Sequence, residues 1–383
     1  MRKCFCFLLL FCLFFTAVPV SAANAGPTVA AKSAVLMDMA TGTLLLEQNA
    51  HQPLAPASVT KVMTMLLIME AIDSGRIGWN DMVVASEAAA AKGGSQIYLK
   101  VGEEMSFTDM LKSIAVSSAN DCACAMAEHI AGSEEAFVAL MNEKAAQLGM
   151  KDTCFVNCTG LDDDPNAQQH LTSAYDIALM SRELMLRHPD IKKFTTIWMD
   201  TVRDGTFGLS NTNKLVRFYK GATGLKTGFT SAAGYCLSAT AQRDGMELIA
   251  VVMGAETSQD RFHACKQLLD YGFANYGLVR PQTEERYTVP VKLGKADAVM
   301  AQPAEDTALL IDKSQLNQVQ IQVTLEENLT APVSKGQRIG TMTVSVGEQV
   351  LRQIPMVAAD GVQKKGFWDI FGDVLRRIAM AAP

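Results

Sequence analysis

A serine and a lysine three residues apart stand directly before a long apolar segment, and this feature constrains the fold more than any other in the chain. Ser58 and Lys61 fall on one face of a helix, one turn apart, and residues 62–69 are almost without polar side chains. A helix that is apolar on every side is typical of the middle of a domain. The sequence therefore predicts a buried central helix that begins with this pair.

Burial makes Lys61 a candidate general base. An unpaired buried ammonium is costly, and desolvation lowers the pKa of a lysine until the amine can act as a base toward a nearby hydroxyl. Ser58 is thus a candidate nucleophile. The pair alone is a weak signal, because a serine at a helix start is more often an N-cap and a lysine beside it is more often solvated.

Two more short motifs follow the pair along the chain. They are the triplet S-A-N at residues 118–120 and the triplet K-T-G at residues 226–228. Each alone is also typical of an ordinary turn or strand end. In this order, the three elements match the S-x-x-K, S-x-N and K-T-G set of penicillin-binding proteins and class A β-lactamases, and the catalytic interpretation becomes the favoured one.

The first 25 residues are predicted to be a secretory signal peptide. Arg2 and Lys3 precede an apolar run at residues 5–15, and small residues follow it, as signal peptides require. The run is short for a retained membrane helix, so the protein is expected to be exported. The net charge of −6 comes with no basic cluster, which argues against a nucleic-acid partner.

Cysteine and histidine usage predicts neither a metal site nor any other cofactor. Five histidines are scattered along the chain and no H-E-x-x-H motif occurs. Six cysteines remain once the signal peptide is removed, and an even number in an exported protein permits disulfides. Cys154 and Cys158 are one conceivable pair, although sequence cannot decide it. Cys236 lies in an apolar strand pattern and is expected to be a buried free thiol.

The remaining pattern predicts two domains and a tail. Residues 26–278 alternate strands, a helical insert, more strands and a closing helix, which indicates an α/β (α+β) domain with an antiparallel sheet covered by helices. Lys226 is expected on a strand of that sheet, paired with the strand that begins at Tyr235. Residues 282–362 show short alternating runs with turn residues between them, which indicates a small all-β sandwich.

Residues 363–383 are predicted to form an amphipathic helix that lies in a membrane interface. Apolar and charged side chains fall on opposite faces, and the nearby basic residues favour an anionic surface. The helix is too short and too charged to span a bilayer. The alternative is a terminal helix packed on the β domain.

The chain resembles the low-molecular-mass penicillin-binding proteins that are D-alanyl-D-alanine carboxypeptidases, from about residue 30 to about residue 362. Besides the three motifs, segments 95–99, 157–161 and 224–230 carry the resemblance. It implies a transpeptidase/β-lactamase-like fold and a location on the outer face of the cytoplasmic membrane. One departure is Phe229, because some members have histidine after the glycine of K-T-G.

The resemblance also implies a mechanism on a peptidoglycan stem peptide, with β-lactam antibiotics as mimics that acylate the same serine. Ser58 attacks the carbonyl between two D-alanines and Lys61 takes its proton. Backbone N–H groups of Ser58 and Phe229 stabilise the oxyanion. The remaining implied roles are protonation of the leaving group by Ser118, binding of the peptide amide by Asn120, and binding of the terminal carboxylate by Lys226 and Thr227 on the strand that continues through Gly228 and Phe229.

Other functions stay open at this point. A β-lactamase-like hydrolase would use the same acyl-enzyme, although the acidic loop motif with which class A β-lactamases deacylate is not found. A non-catalytic wall-binding or β-lactam-sensing module would keep the fold without useful turnover. An endopeptidase that cuts cross-links is a close variant of the carboxypeptidase.

Overall fold

The computed structural model describes residues 26–163, 165–281 and 287–380, so the predicted signal peptide lies outside the described residues. The helices in this part of the chain are α1 (Lys61–Asp73), α2 (Glu87–Ala90), α3 (Phe107–Ser117), α4 (Asn120–Ala131), α5 (Glu134–Gln147), α6 (Ala174–Arg187), α7 (Lys192–Thr195), α8 (Leu215–Phe218), α9 (Ser258–Asn275) and α10 (Phe367–Met380). The strands of the first part are β1 (Ser33–Asp38), β2 (Leu44–Gln48), β3 (Met82–Val84), β4 (Glu104–Ser106), β5 (Met199–Val202), β6 (Phe207–Ser210), β7 (Ala222–Thr230), β8 (Gly234–Arg243), β9 (Met246–Ala255) and β10 (Tyr276–Val279). Those of the second part are β11 (Thr288–Lys292), β12 (Ala298–Pro303), β13 (Leu309–Asp312), β14 (Val319–Leu325), β15 (Leu329–Thr330), β16 (Arg338–Val346) and β17 (Gln349–Ala358).

A five-stranded antiparallel sheet in the order β2-β1-β9-β8-β7 forms the frame of the first part. Its central strands are buried on both faces because helices cover both sides, and their sequences are accordingly near-continuous apolar runs. Asp244 and Gly245 both have positive φ in the β8–β9 turn, as the tight turns of two-residue hairpins require. Lys226 lies on β7, at the edge of the sheet, with Phe229 opposite Tyr235 of β8. The predicted antiparallel sheet and the pairing of the Lys226 strand with the strand that begins near Tyr235 are confirmed.

Helix α1 is the buried central helix that the apolar run predicts. Ten of its residues are buried, among them Lys61, and it contacts α3, α4, α5 and α6 as well as β7. A short 3₁₀ turn, Ala57–Thr60, precedes it, so Ser58 lies in the turn and Lys61 is the first residue of the helix proper. This junction sets the two side chains facing the same space.

The second part is all β, as predicted. Six of its seven strands, all except β13, hydrogen-bond into one sheet in the order β14-β16-β17-β12-β11-β15, in which only the β11–β15 pair is parallel. Residues from both ends of this sheet, including Val323 and Val289, pack on one apolar core, so the sheet curves around it. Strands β10 and β13 pair across the predicted domain limits, and the limits 26–278 and 282–362 stay predictions.

The tail helix α10 exposes several apolar side chains in its first part. Phe367 and Trp368 are 73% and 78% exposed, and Lys365 pairs with Asp373 at 2.7 Å near its beginning. Within the described ranges, none of the helices is both long and apolar enough to cross a membrane.

Six cysteines lie in the part of the chain that the structure describes, and all are free thiols. Cys236 is buried, as expected, whereas Cys154 is exposed and Cys158 buried. The same residues contain no cluster of three or more histidine, cysteine or acidic side chains able to hold a metal ion.

Candidate active site

Ser58 and Lys61 form the first half of the site. The Lys61 Nζ lies 3.0 Å from the Ser58 Oγ and donates a 2.8 Å hydrogen bond to the carbonyl oxygen of Thr159. Ala57 has a φ of 48° immediately before the serine. A positive φ at a residue with a side chain is uncommon and concentrates at functional sites. The turn therefore holds the hydroxyl and the amine within hydrogen-bonding distance of each other.

The surroundings of Lys61 favour its neutral form. Its side chain is fully buried, and this desolvation lowers its pKa from the ordinary 10.5 to about 7, against weaker opposing effects of Cys158 and Asp121. A group with this pKa is about half deprotonated at neutral pH. An amine in this state is able to accept a proton from a nearby hydroxyl group.

Ser118 and Asn120 form a second wall of the site. Helix α3 ends at Ser117, and Ser118 takes a left-handed conformation with a φ of 64° before α4 begins. The amide Nδ2 of Asn120 donates to the carbonyl of Gly93 at 2.7 Å, while its Oδ1 is buried with no hydrogen-bond partner. A buried acceptor without a partner can accept a hydrogen bond from the N–H group of a peptide ligand.

Lys226 connects this wall to strand β7. Its Nζ donates to the Ser118 Oγ and to the Thr227 carbonyl oxygen, both at 2.9 Å. Burial lowers the pKa of Lys226 well below its usual value, and the nearby charges of Lys61 and Arg261 lower it further. Burial therefore disfavours the charged form of Lys226, and an anionic group beside the amine would favour that form.

Strand β7 passes close to the serine turn at Gly228. A Cβ on Gly228 would lie 2.6 Å from the carbonyl oxygen of Pro56 and 3.1 Å from the Ser58 nitrogen, so a larger residue would push the strand away. Phe229 follows, 51% exposed, with its ring stacked on Tyr235 at 4.3 Å. The hydroxyl of Thr227 bonds to that of Thr212 at 2.7 Å.

The structure brings the three sequence motifs together. Ser58 contacts Lys61, Ser118 contacts Lys226, and the turn and strand that carry Ser58 and Lys226 touch at Gly228. Two arginines belong to elements that neighbour strand β7, and of these Arg217 is exposed. Arg261 is buried and donates to the Gly228 carbonyl oxygen at 2.9 Å.

Sequence reasoning missed three groups that shape the site. Thr159 contributes only its carbonyl oxygen, for which a sequence carries no direct signal. Thr212 bonds to the K-T-G threonine from a distant loop. His170 is buried and bonds to Thr60, between Ser58 and Lys61. His170 belongs to no motif, and an isolated histidine in a sequence seldom indicates a functional role.

Comparison with known proteins agrees with this geometry. Residues 20–257 match the family described as D-alanyl-D-alanine carboxypeptidase, and residues 279–364 match the C-terminal domain of penicillin-binding protein 5. D-alanyl-D-alanine carboxypeptidase DacF of Bacillus subtilis is 45% identical over 344 residues, which cover 88% of this chain and 87% of that protein.

Solved structures of related proteins share the fold of this chain. Penicillin-binding protein 5 from Haemophilus influenzae is 32% identical with a TM-score of 0.75, covering 88% of this chain and 99% of that one. Penicillin-binding protein D2 from Listeria monocytogenes, in its ampicillin-bound form, is 32% identical with a TM-score of 0.59, covering 64% of this chain and 98% of that one. With the S-x-x-K, S-x-N and K-T-G residues gathered in one cleft and both family matches in place, this chain belongs to the D-alanyl-D-alanine carboxypeptidase family, a family of hydrolases.

Proposed function

We propose that this chain removes the terminal D-alanine from peptidoglycan stem pentapeptides through an acyl-enzyme on Ser58. The observation that carries the proposal is the buried Lys61 amine, which lies 3.0 Å from the Ser58 Oγ and whose pKa burial lowers to about 7. A neutral amine at this distance can activate a hydroxyl that is otherwise a weak nucleophile.

Acylation proceeds in two proton transfers. The Ser58 hydroxyl gives its proton to Lys61 as its oxygen bonds to the carbonyl carbon of the penultimate D-alanine. Backbone N–H groups of Ser58 and Phe229 stabilise the oxyanion. The C–N bond then breaks as the proton held by Lys61 passes by way of the Ser118 hydroxyl, which is hydrogen-bonded to Lys226, to the leaving amine, and Lys61 is neutral again.

Substrate binding uses the second wall and the strand. The peptide amide of the substrate donates to the free Oδ1 of Asn120. The terminal carboxylate lies against Lys226 and Thr227, and its charge favours the ammonium form of Lys226. Gly228 lets the strand lie close enough for these contacts. Water then attacks the ester carbon while neutral Lys61 takes one of its protons, the C–O bond breaks, and Lys61 returns that proton to the Ser58 oxygen.

Penicillin and related β-lactams acylate Ser58 in the same way. The carboxylate and the strained amide of a β-lactam correspond to the carboxylate and the scissile amide of the peptide. The structural similarity to a Listeria protein described in an ampicillin-bound form supports this reading.

The proposed location is the outer face of the cytoplasmic membrane. The predicted signal peptide provides export, and the exposed apolar side chains of α10 suit an interface between water and lipid. Peptidoglycan lies on that side of the membrane, so the enzyme would meet its substrate there.

A labelling experiment tests the nucleophile. The mature protein is incubated with a fluorescent penicillin beside Ser58→Ala and a control, Ser133→Ala, which removes a hydroxyl that caps α5. We expect label on the parent and the control but not on Ser58→Ala. An unlabelled parent, or equal label on Ser58→Ala, would refute the proposal.

Mass spectrometry of a synthetic stem pentapeptide tests the reaction and separates the alternatives. Loss of one D-alanine is the expected result. Rapid turnover of penicillin would instead identify a β-lactamase-like hydrolase, and stable labelling without release of D-alanine would identify a sensing module. Cleavage of a cross-linked dimer in preference to the pentapeptide would identify an endopeptidase.

A further inference from the structure

A buried histidine behind the cleft is not used by the proposed mechanism. His170 is only 3% exposed and follows the short 3₁₀ turn Ala167–Gln169. Its two ring nitrogens reach two different segments. Nδ1 lies 3.0 Å from the backbone nitrogen of Val156, and Nε2 lies 2.8 Å from the hydroxyl oxygen of Thr60.

The hydrogen-bond partners determine which nitrogen carries the proton. The backbone N–H of Val156 can only donate, so Nδ1 accepts. In the neutral ring Nε2 then carries the hydrogen and donates to the Thr60 hydroxyl. That hydroxyl donates in turn to the carbonyl oxygen of Ala57 at 2.8 Å. The three bonds run in one direction, from Val156 through His170 and Thr60 to Ala57.

Both ends of this hydrogen-bond chain lead to reacting groups. Ala57 immediately precedes Ser58, and Thr60 immediately precedes Lys61. At the other end, Val156 begins the segment whose Thr159 carbonyl accepts the hydrogen bond of the Lys61 amine at 2.8 Å. His170 therefore joins the turn that carries the nucleophile to the segment that orients its base.

The serine turn at residues 57–60 and the segment 156–160 are also in direct contact. The hydrogen bonds of His170 therefore affect how these two segments pack against each other. Gly160 has a φ of +80°, and a Cβ there would overlap the Ala57 carbonyl oxygen and lie 2.7 Å from the Thr60 hydroxyl. The Asn157 side chain shapes the same segment by accepting from the backbone nitrogens of Thr159 and Gly160. The segment itself is thus held rigid, and His170 fixes where it lies against the serine turn.

We propose that His170, acting through Thr60, is a positioning residue that sets the distance between the Ser58 hydroxyl and the Lys61 amine. This inference rests on the proposed function, because the distance matters only if Lys61 activates Ser58. It assigns the histidine no contact with substrate. Its loss should slow acylation while leaving substrate binding close to normal.

The sharpest test is a pair of variants at Thr60. Thr60→Val keeps the shape of the side chain but removes the hydroxyl, whereas Thr60→Ser keeps the hydroxyl. Since misplacement of catalytic groups by about 1 Å can reduce rates about 100-fold, we expect Thr60→Val to lower the rate constant of penicillin acylation by roughly 10- to 100-fold. Thr60→Ser should stay within about threefold of the parent, and the dissociation constant of the non-covalent penicillin complex should change little in both.

Variants at His170 test the same link from the other side. His170→Asn can still accept from Val156 but cannot reach Thr60, so it should slow acylation like Thr60→Val. The double variant should be no slower than either single variant, because both break one chain of bonds. Thr240→Val is the matched control, since it removes a buried hydroxyl that accepts from Thr223 and should leave the acylation rate unchanged.

Imidazole ¹⁵N NMR gives a readout that does not depend on activity. At neutral pH the His170 ring should be neutral with its proton on Nε2. A proton on Nδ1, or a parental acylation rate in Thr60→Val despite a lowered melting temperature, would overturn the positioning role while leaving the proposed function intact. A parent protein that takes no penicillin would overturn the proposed function, and the positioning role with it. If His170→Asn does not fold, the Thr60 pair alone decides.

Discussion

Acylation of this protein by penicillin should rise with pH and level off just above neutrality, because Lys61 must be neutral to accept the proton of Ser58. Full burial lowers its pKa from 10.5 to about 7, which corresponds to roughly 5 kcal/mol of preference for the neutral amine. Because this pKa belongs to the free enzyme, the rise of the rate with pH appears in the second-order rate constant of acylation.

The expected size of the effect follows from the fraction of neutral amine. Between pH 6 and pH 8 that fraction rises about tenfold for a pKa of about 7, and the curve is nearly flat by pH 9. A lysine with its ordinary pKa of 10.5 would instead give about a hundredfold rise over the same interval and no plateau below pH 10.

Stopped-flow measurement of fluorescent-penicillin acylation across this range distinguishes the two curves. Far-UV circular dichroism at each pH controls for unfolding. A limb that is still climbing tenfold per pH unit at pH 9, or a rate that does not change between pH 6 and pH 8, would refute the argument that burial prepares the amine as the base.

Two further predictions concern stability and location. Because the folded-state pKa of Lys61 lies below the unfolded value, the destabilisation from this group is complete below about pH 7 and fades as the pH approaches 10.5. Lys61→Met should therefore abolish acylation yet raise the free energy of unfolding by about 1–3 kcal/mol at pH 6, as measured by urea denaturation, and a gain that grows toward pH 10 would contradict this reasoning. Removal of residues 367–383 should release the protein from anionic vesicles in a flotation assay without changing its acylation rate, and continued vesicle binding by the shortened protein would show that another surface is responsible.

The elements that sequence predicted well are those with strong local patterns. The apolar run after Ser58 identified the central helix, and the apolar strand pattern around Cys236 identified a buried thiol. Seven of the eight proposed site residues belong to a short motif, S-x-x-K, S-x-N or K-T-G, whose residue types are tied to one chemistry, and Phe229 directly follows the last of these motifs.

The parts that escaped prediction depend on contacts between distant segments. The Thr159 carbonyl and the His170 ring reach α1 only after the chain has folded, and neither lies in a motif of its own. The lowered pKa of Lys226 also depends on packing, because burial and the charges of Lys61 and Arg261 combine there. Strand β10 was missed because its partner, β13, is thirty residues away across a change in composition.

The β10–β13 pair makes the junction between the two parts of the protein a hydrogen-bonded, packed interface and not a flexible linker. Tyr276 follows α9 with no intervening loop, and Leu278 and Leu310, one from each strand, pack on the apolar core beneath that helix. The Lys313 ammonium adds a 3.0 Å hydrogen bond to the Phe273 carbonyl oxygen. A version of the protein shortened to end after β10 would thus expose leucine side chains and leave its last strand without a partner, so the β portion covers part of the apolar core of the first part.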